Sequence, residues 1–188
     1  MPKYLALLRG INVNGKKIIK MEELRSLMET VGYGDVQTYI QSGNIIFTST
    51  GRSKIKIAAG IEALIEGHYG FDVTVFLLDR ADVEMAVDNN PFVSIREPEG
   101  PGSKKLYVTF LSGTPSEDNM QKLRDAPIGH DLIELVDNVL YFKLNTKASE
   151  SKLSNNLIES KLQVKATTRN WNTTLKLLQI LEQANTSY

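Results

Sequence analysis

Three polar motifs in this sequence carry side chains that could bind a ligand. The first begins at Arg9 and continues as Gly10 to Lys17, which nearly matches the phosphate-cradling pattern G-x-x-x-x-G-K-S/T. The last position fails, because Lys17 has no hydroxyl to hold magnesium. A looser anion site fits the segment, since glycines expose backbone N–H groups and lysines lie nearby. The alternative is a flexible basic loop. The candidate ligand-binding residues here are Arg9, Asn12 and Lys16.

The second motif is a short polar turn at residues 41–44. Gln41, Ser42 and Asn44 carry two amides and a hydroxyl, which could hydrogen-bond a ligand. Such residues also satisfy the backbone of their own turn, and that structural role is the alternative. All three side chains are candidate ligand-binding residues.

The third motif, Arg169-Asn170-Trp171, combines a planar cation, an amide and the only tryptophan. Arginine binds phosphate or carboxylate in a bidentate manner, and tryptophan can stack a base. Arg169 and Asn170 are therefore candidate ligand-binding residues, with Trp171 in a stacking or packing role. The structural alternative makes Asn170 or Thr168 a helix N-cap and Trp171 a core residue.

Catalytic and metal signatures are weak in this chain. The absence of cysteine excludes disulfides, zinc ribbons and thiol nucleophiles. His68 and His130 have no acidic or histidine partner at ligand spacing, so we expect neither a metal nor another cofactor. Ser42 lacks the G-x-S-x-G elbow of a hydrolase. Whether the protein is an enzyme stays open.

Composition predicts a soluble cytoplasmic protein without a membrane partner. The chain of 188 residues is 41% hydrophobic, enough for a packed interior, and a cysteine-free chain fits a reducing compartment. Its strongly apolar runs are too short to span a bilayer. Net charge is zero, but residues 1–20 hold five basic groups and no acid. Such a segment can attract anions, or it can simply be a solvated surface.

The predicted elements repeat in the two halves of the chain. Residues 4–88 and 105–184 both read strand, helix, strand, strand, helix, strand, helix. This pattern predicts an α+β fold: a tandem duplication of a ferredoxin-like β-α-β-β-α-β unit with antiparallel sheets. We expect a first ferredoxin-like subdomain at 1–90, a proline- and glycine-rich linker loop at 91–103, and a second ferredoxin-like subdomain at 104–188.

Local signals place several element boundaries. An apolar stripe predicts a helix over 21–31 that Gly32 ends, and a second helix follows Ser53 and stops at Gly70. In the second half, Thr114 opens a predicted capping box. A helix over 149–160 and a last strand over 163–166 follow, which leaves residues 167–171 as a strand-to-helix junction.

The predicted topology brings two of the polar motifs together. The loop after the first strand and the turn between the second and third strands follow strands that run in the same direction. Both must then lie at the same end of the sheet. We therefore expect residues 9–12 and 41–44 to be neighbours.

Four ordered motifs resemble the bacterial family called domain of unknown function, number 1697. They are Arg9-Gly10-Ile11-Asn12-Val13, Tyr39-Ile40-Gln41-Ser42-Gly43-Asn44, Ser151-Lys152-Leu153 and Thr168-Arg169-Asn170-Trp171-Asn172-Thr173. The family's first loop usually reads R-G-I-N-V-G-G, and Asn14 replaces the first glycine of that pair. The resemblance implies an α+β fold with two ferredoxin-like halves. It implies no established activity, and no catalytic residue can be carried over.

The leading functional hypothesis is a soluble binding module for an anionic or polar ligand. A nucleotide, a phosphorylated metabolite or an RNA would fit the basic and amide side chains. One alternative is an enzyme of unrecognised class in which Arg169 stabilises developing negative charge. Another is a structural or interaction protein whose motifs hold the two halves together. The sequence assigns no oligomeric state.

Overall fold

The computed structural model describes residues 1–95 and 105–183. Within those residues the fold is mixed α+β, with two four-stranded antiparallel sheets and six α-helices. The chain forms two compact units: Met1–Glu84 with the chain from Lys176 onward, and Met85–Leu175. Along the sequence, the division falls within the helices α3 (Arg80–Asp88) and α6 (Trp171–Glu182).

The first unit contains four strands in the order β2-β3-β1-β4, with every neighbouring pair antiparallel. Its elements are β1 (Lys3–Leu8), α1 (Met21–Thr30), β2 (Gly34–Tyr39), β3 (Asn44–Thr48), α2 (Lys54–Tyr69) and β4 (Val75–Leu78).

Local chemistry explains the helices of the first unit. In α1 the residues Met21, Leu24 and Met28 are buried at three- and four-residue spacing, as the apolar stripe predicts. The Ser53 hydroxyl accepts the Lys56 N–H at the start of α2. Gly70 ends α2 with a φ of 76°, a left-handed conformation that glycine adopts easily. The predicted start and end of α2 are confirmed.

The second unit repeats this arrangement with the strand order β6-β7-β5-β8, again antiparallel. Its elements are β5 (Leu106–Leu111), α4 (Glu117–Arg124), β6 (Leu132–Val136), β7 (Val139–Lys143), α5 (Asn155–Leu162) and β8 (Ala166–Asn170), preceded by a 3₁₀ turn at Val93–Ile95.

The two halves look like a duplicated unit because equivalent contacts recur. In the first unit the Glu62 carboxylate on α2 accepts the N–H of Val75, the first residue of β4, at 2.8 Å. In the second unit the Glu159 carboxylate on α5 accepts the N–H of Ala166, the first residue of β8, also at 2.8 Å. Each glutamate ties a helix to the strand that follows it.

Two predicted helix starts in the second half are wrong. Ser116, not Thr114, caps α4 by accepting the Asn119 N–H at 3.2 Å. Helix α5 starts at Asn155 instead of 149, because the Ser154 hydroxyl accepts the Leu157 N–H. Several serine or threonine residues precede each helix, and any of them could act as the N-cap. The local sequence therefore does not fix where either helix begins.

The last strand also differs from its prediction. Residue 163 ends α5 in a left-handed conformation, and β8 runs over Ala166–Asn170 rather than 163–166. Arg169 therefore belongs to a strand and pairs with Val108 of β5, whereas we expected it in a junction. Its two threonines favour a strand, but the segment has no alternation of large apolar and polar residues, so the periodicity of the sequence does not mark it.

The predicted linker is described only in part. Residues 91–95 form a turn that ends in the 3₁₀ helix, and residues 96–103 lie outside the described part of the chain. The subdomain boundaries at 90 and 104 stay a prediction. Among residues 1–95 and 105–183, no helix has the length and apolar character needed to cross a bilayer.

Candidate functional site

The amide of Asn12 holds two loops of the first unit together. Its Nδ2 donates to the carbonyl oxygens of Gln41 at 2.8 Å and Ile19 at 3.0 Å, while its Oδ1 accepts the Ile19 N–H at 2.8 Å. The loop after β1 thus lies against the β2–β3 turn, so the predicted proximity of residues 9–12 and 41–44 is confirmed. We call residues 9–20 with 40–44 the loop end of the first unit.

Residues 12–17 form a small β-hairpin instead of a phosphate-binding loop. The Lys16 N–H donates to the Val13 carbonyl at 3.0 Å, and the Asn12 N–H donates to the Lys17 carbonyl at 3.2 Å. Asn14 and Gly15 turn the chain with φ values of 50° and 71°. Two positive φ values mark a type I′ turn, for which Asn-Gly is a preferred pair. This dipeptide is the local sequence signal for a hairpin within the segment that nearly matches the phosphate-cradling pattern.

The lysines of the hairpin have different surroundings. Lys16 is exposed at the tip of the hairpin. Lys17 is half-buried, and its ammonium group forms an ion pair with the Asp72 carboxylate at 3.4 Å. The same group lies 6.0 Å from the centre of the Phe71 ring. Lys16 is therefore better placed than Lys17 to meet a ligand.

Some polar side chains of the turn at 41–44 form hydrogen bonds within the turn itself. Asn44 is fully buried, and its Nδ2 donates to the Tyr39 carbonyl at 2.9 Å and to the Ser42 hydroxyl at 3.0 Å. This is the structural role that the sequence left open for Asn44. Gln41 is exposed and Ser42 is half-buried, so these two side chains remain accessible.

Ile40 adopts an unusual backbone conformation at this turn. Its φ is 50°, although a β-branched residue is strongly disfavoured in the left-handed region. Its side chain is 50% exposed, so burial gives little compensation. No local pattern in the sequence predicts this conformation, which only the backbone dihedral angle of the structure reveals. Strained residues of this kind cluster at functional loops.

Arg169 in the second unit is buried, with 7% of its surface exposed. Its Nη1 donates to the Thr167 hydroxyl at 3.0 Å and to the Thr168 carbonyl at 2.9 Å. Burial lowers the pKa of its guanidinium to about 10, so the group remains charged at neutral pH. Because strand residues alternate between faces, Arg169 and Thr167 lie on one face of the sheet and Thr168 on the other.

The neighbours of Arg169 have structural contacts. Asn170 Oδ1 accepts the Thr173 N–H at 3.0 Å in the first turn of α6, as an N-cap does. Trp171 is 4% exposed and buried at the start of the same helix. Thr168 bonds instead to the hydroxyl of Thr109 at 2.8 Å and to the Asn155 amide oxygen at 2.7 Å. Asn170 therefore acts as a helix cap and Trp171 packs in the interior, as the structural alternative for this motif expects.

The motif around Ser151 also has a local structural role. Asp131, itself buried, accepts the Ser151 hydroxyl at 2.9 Å and the Asn145 N–H at 2.8 Å. Ser151 Oγ then accepts the Leu153 N–H at 3.1 Å. One carboxylate thereby fixes the path of the chain between β7 and α5, a role that the sequence did not indicate.

No group of three histidine, cysteine or acidic residues in the described part of the chain could hold a metal ion. His68 does find an acidic neighbour, since its Nε2 lies 3.0 Å from the Glu23 carboxylate. These residues are far apart in sequence, which is why spacing alone did not connect them. Both side chains are well exposed, as expected for a surface ion pair.

Comparison with known proteins identifies the family. The solved structure of the conserved bacterial protein SP0830 from Streptococcus pneumoniae is similar, with 25% sequence identity and a TM-score of 0.72. The match covers 96% of this chain and 99% of that one. No curated protein matches the chain. The family described as Protein of unknown function (DUF1697) matches residues 1–141, three quarters of the sequence, and the chain belongs to that family.

Proposed function

We propose that this chain is a binding module for an anionic or polar ligand, held at the loop end of the first unit. A nucleotide, a phosphorylated metabolite or an RNA has the required chemistry. The observation that carries the proposal is the Asn12 amide, which fixes a basic hairpin against a polar turn. A loop that is already ordered loses less conformational entropy when it binds.

The loop end supplies suitable contacts for such a ligand. Arg9 follows β1 directly, and its backbone N–H bonds to the Thr74 carbonyl at 3.0 Å, which fixes where its side chain begins. Lys16 and Gln41 are exposed at the same end of the unit. In this proposal Arg9, Lys16, Gln41 and Ser42 contact the ligand, while Asn12 and Asn44 position the loops.

A binding experiment with the full chain tests this proposal. A short labelled oligouridylate is titrated by filter binding at low salt, and labelled ATP is titrated in a separate experiment. We expect retention that falls steeply as salt increases, by a log–log slope of about 0.7 for each neutralised phosphate of a single strand. Lys16→Ala should weaken retention, and Lys147→Ala, an exposed lysine of the second unit, serves as the matched control. Absence of both oligonucleotide retention and ATP binding at low salt would refute the proposal.

A structural role for the third motif is the second candidate, and specific contacts favour it. Arg169 bonds within β8, Asn170 caps α6, and Trp171 is buried. Only the sequence pattern makes Arg169 and Asn170 candidate ligand-binding residues. The enzyme alternative, which needs Arg169 to reach a substrate, gains no support from its buried position.

We also propose that each unit is ferredoxin-like and that the pair arose by duplication. Both sheets have the strand order fourth, first, third, second, which is the order of a β-α-β-β-α-β unit. The matched glutamate contacts of α2 and α5 support a common origin. A cytoplasmic location remains part of the proposal, since the chain has no cysteine.

A further inference from the structure

Strand β6 forms an edge of the second sheet. It pairs with β7 without a register shift from Leu132, opposite Lys143, to Val136, opposite Val139. Among residues 1–95 and 105–183, no other strand lies beside it. An edge strand presents a row of backbone N–H and C=O groups that can pair with another chain. A regular edge is thus a ready template for one more strand.

The equivalent edge strand of the first unit, β2, is irregular. Strand β2 has the same place in its sheet, but its register shifts between Gly34 and Gln37. Asp35 lies within this irregular stretch, exposed and with a φ of 48°. Bulges and charged side chains are the usual devices that keep edges from pairing. Strand β6 carries one charged residue, Glu134, but it lacks the bulge and keeps a regular register along its length.

The side chains of β6 are mostly apolar. Ile133 and Leu135 pack against the core of the second unit. Because side chains alternate along a strand, Leu132, Glu134 and Val136 share the opposite face. Leu132 is 39% exposed, and Glu134 is exposed and is the only charged residue of the strand.

We infer that β6 binds an extended segment of a partner protein, which adds as a strand and places a lysine or arginine, flanked by apolar residues, opposite Glu134. Backbone hydrogen bonds would supply affinity in this mode, and the alternating side chains would supply specificity. Opposite charges directly across a strand pair are favourable, and like charges are unfavourable.

Charge argues against a second copy of the chain as the occupant. A two-fold antiparallel pairing centred on β6 would place Glu134 opposite Glu134 of the other copy. Two carboxylates facing each other would disfavour that pairing, which is how interfaces reject a wrong partner. This inference concerns the second unit, whereas the proposed ligand site is in the first unit, so the two are tested independently.

Fluorescence anisotropy with a labelled peptide tests the inference. The probe is Thr-Val-Thr-Lys-Thr-Val-Thr, in which the lysine and both valines share one face. We expect saturable binding to the full chain. The affinity should become about tenfold weaker when glutamate replaces the peptide lysine, because two like charges then face each other at Glu134. The variant Glu134→Lys should reverse this preference. Gln37→Lys on the bulged edge is the matched control and should leave binding unchanged.

Methylated peptides separate strand addition from a simple ion pair. In a strand pair only alternate amides face the neighbouring strand. Methylation of one alternating set of peptide nitrogens should abolish binding, while methylation of the other set should retain it. The inference fails if the peptide does not bind, if both methylated sets bind equally, or if Glu134→Lys leaves the preference unchanged. It also fails if sedimentation shows that β6 is covered by a second copy in solution.

Discussion

The side-chain amide of Asn12 donates to the carbonyl of Gln41 across 2.8 Å, although 29 positions separate the two residues in sequence. Asn12 itself has a positive φ of 54°, a conformation that asparagine tolerates better than most residues. Asn12 therefore suits the backbone conformation of its own loop, and its side chain also connects that loop to the turn at Gln41.

Replacement of Asn12 should loosen the loop end. Asn12→Ala removes the bonds to Ile19 and Gln41, and we expect the free energy of unfolding to fall by about 1–3 kcal/mol. Urea unfolding, followed by far-ultraviolet circular dichroism, measures the change. The control is Asn14→Gly, which keeps a residue suited to the turn. Equal free energies of unfolding for Asn12→Ala and the wild type would show that the Asn12 hydrogen bonds do not stabilise the fold.

Relief of strain at residue 40 should stabilise the protein. Asparagine tolerates the left-handed region that Ile40 occupies, so we expect Ile40→Asn to raise the free energy of unfolding by about 0.5–1 kcal/mol, after the loss of some apolar contact. Thermal unfolding provides the measurement. Ile55→Asn is a comparison at an isoleucine of α2 that is 83% exposed, and it should give no gain. A lower melting temperature for Ile40→Asn would contradict the strain argument.

Arg169 should contribute to stability whatever else it does. Arg169→Ala deletes a buried guanidinium and leaves Thr167 and the Thr168 carbonyl without their donor. We expect a loss of about 1–3 kcal/mol, because unpaired buried polar groups are costly. Chemical denaturation quantifies the loss, with Lys165→Ala as an exposed control nearby in sequence. An unchanged midpoint would remove the structural role of this residue.

Asp79 gives the stability a dependence on pH. Its Oδ2 lies 2.6 Å from the Lys54 ammonium, and its Oδ1 accepts the Asp82 N–H at 3.1 Å. Burial acts to raise the pKa of Asp79, but the hydrogen bonds from Lys54 and from the Asp82 backbone outweigh it. The pKa of Asp79 therefore lies below its ordinary value of 3.8.

The direction of the pH effect follows from this lowered pKa. The unfolded chain takes up the proton first on acidification, so the stabilisation by Asp79 is present above about pH 4 and is lost as the pH falls through the lowered pKa. The variant Asp79→Asn keeps a capping oxygen but cannot titrate. Urea unfolding of both proteins between about pH 2 and pH 6 should show the wild-type advantage shrinking in acid. A constant difference across that range would contradict the assignment.

The sequence alone determined the local elements and their order. The spacing of Met21, Leu24 and Met28 predicted α1, and Ser53 with Gly70 predicted the limits of α2. These signals are local, because helix periodicity and capping depend on residues within a few positions of one another. The repeated order of elements then predicted that residues 9–12 meet residues 41–44, since strand direction decides which connections share an end of the sheet.

Only the tertiary structure decided which polar groups have partners within the fold. Asn44 and Asn170 have the same chemistry as exposed Gln41, yet one is buried in its turn and the other caps α6. Arg169 lies in β8 because strand pairing with β5, not local preference, defines that segment. The physical reason is that hydrogen bonds and burial between distant residues depend on how the whole chain packs, and periodicity along the sequence carries no information about them.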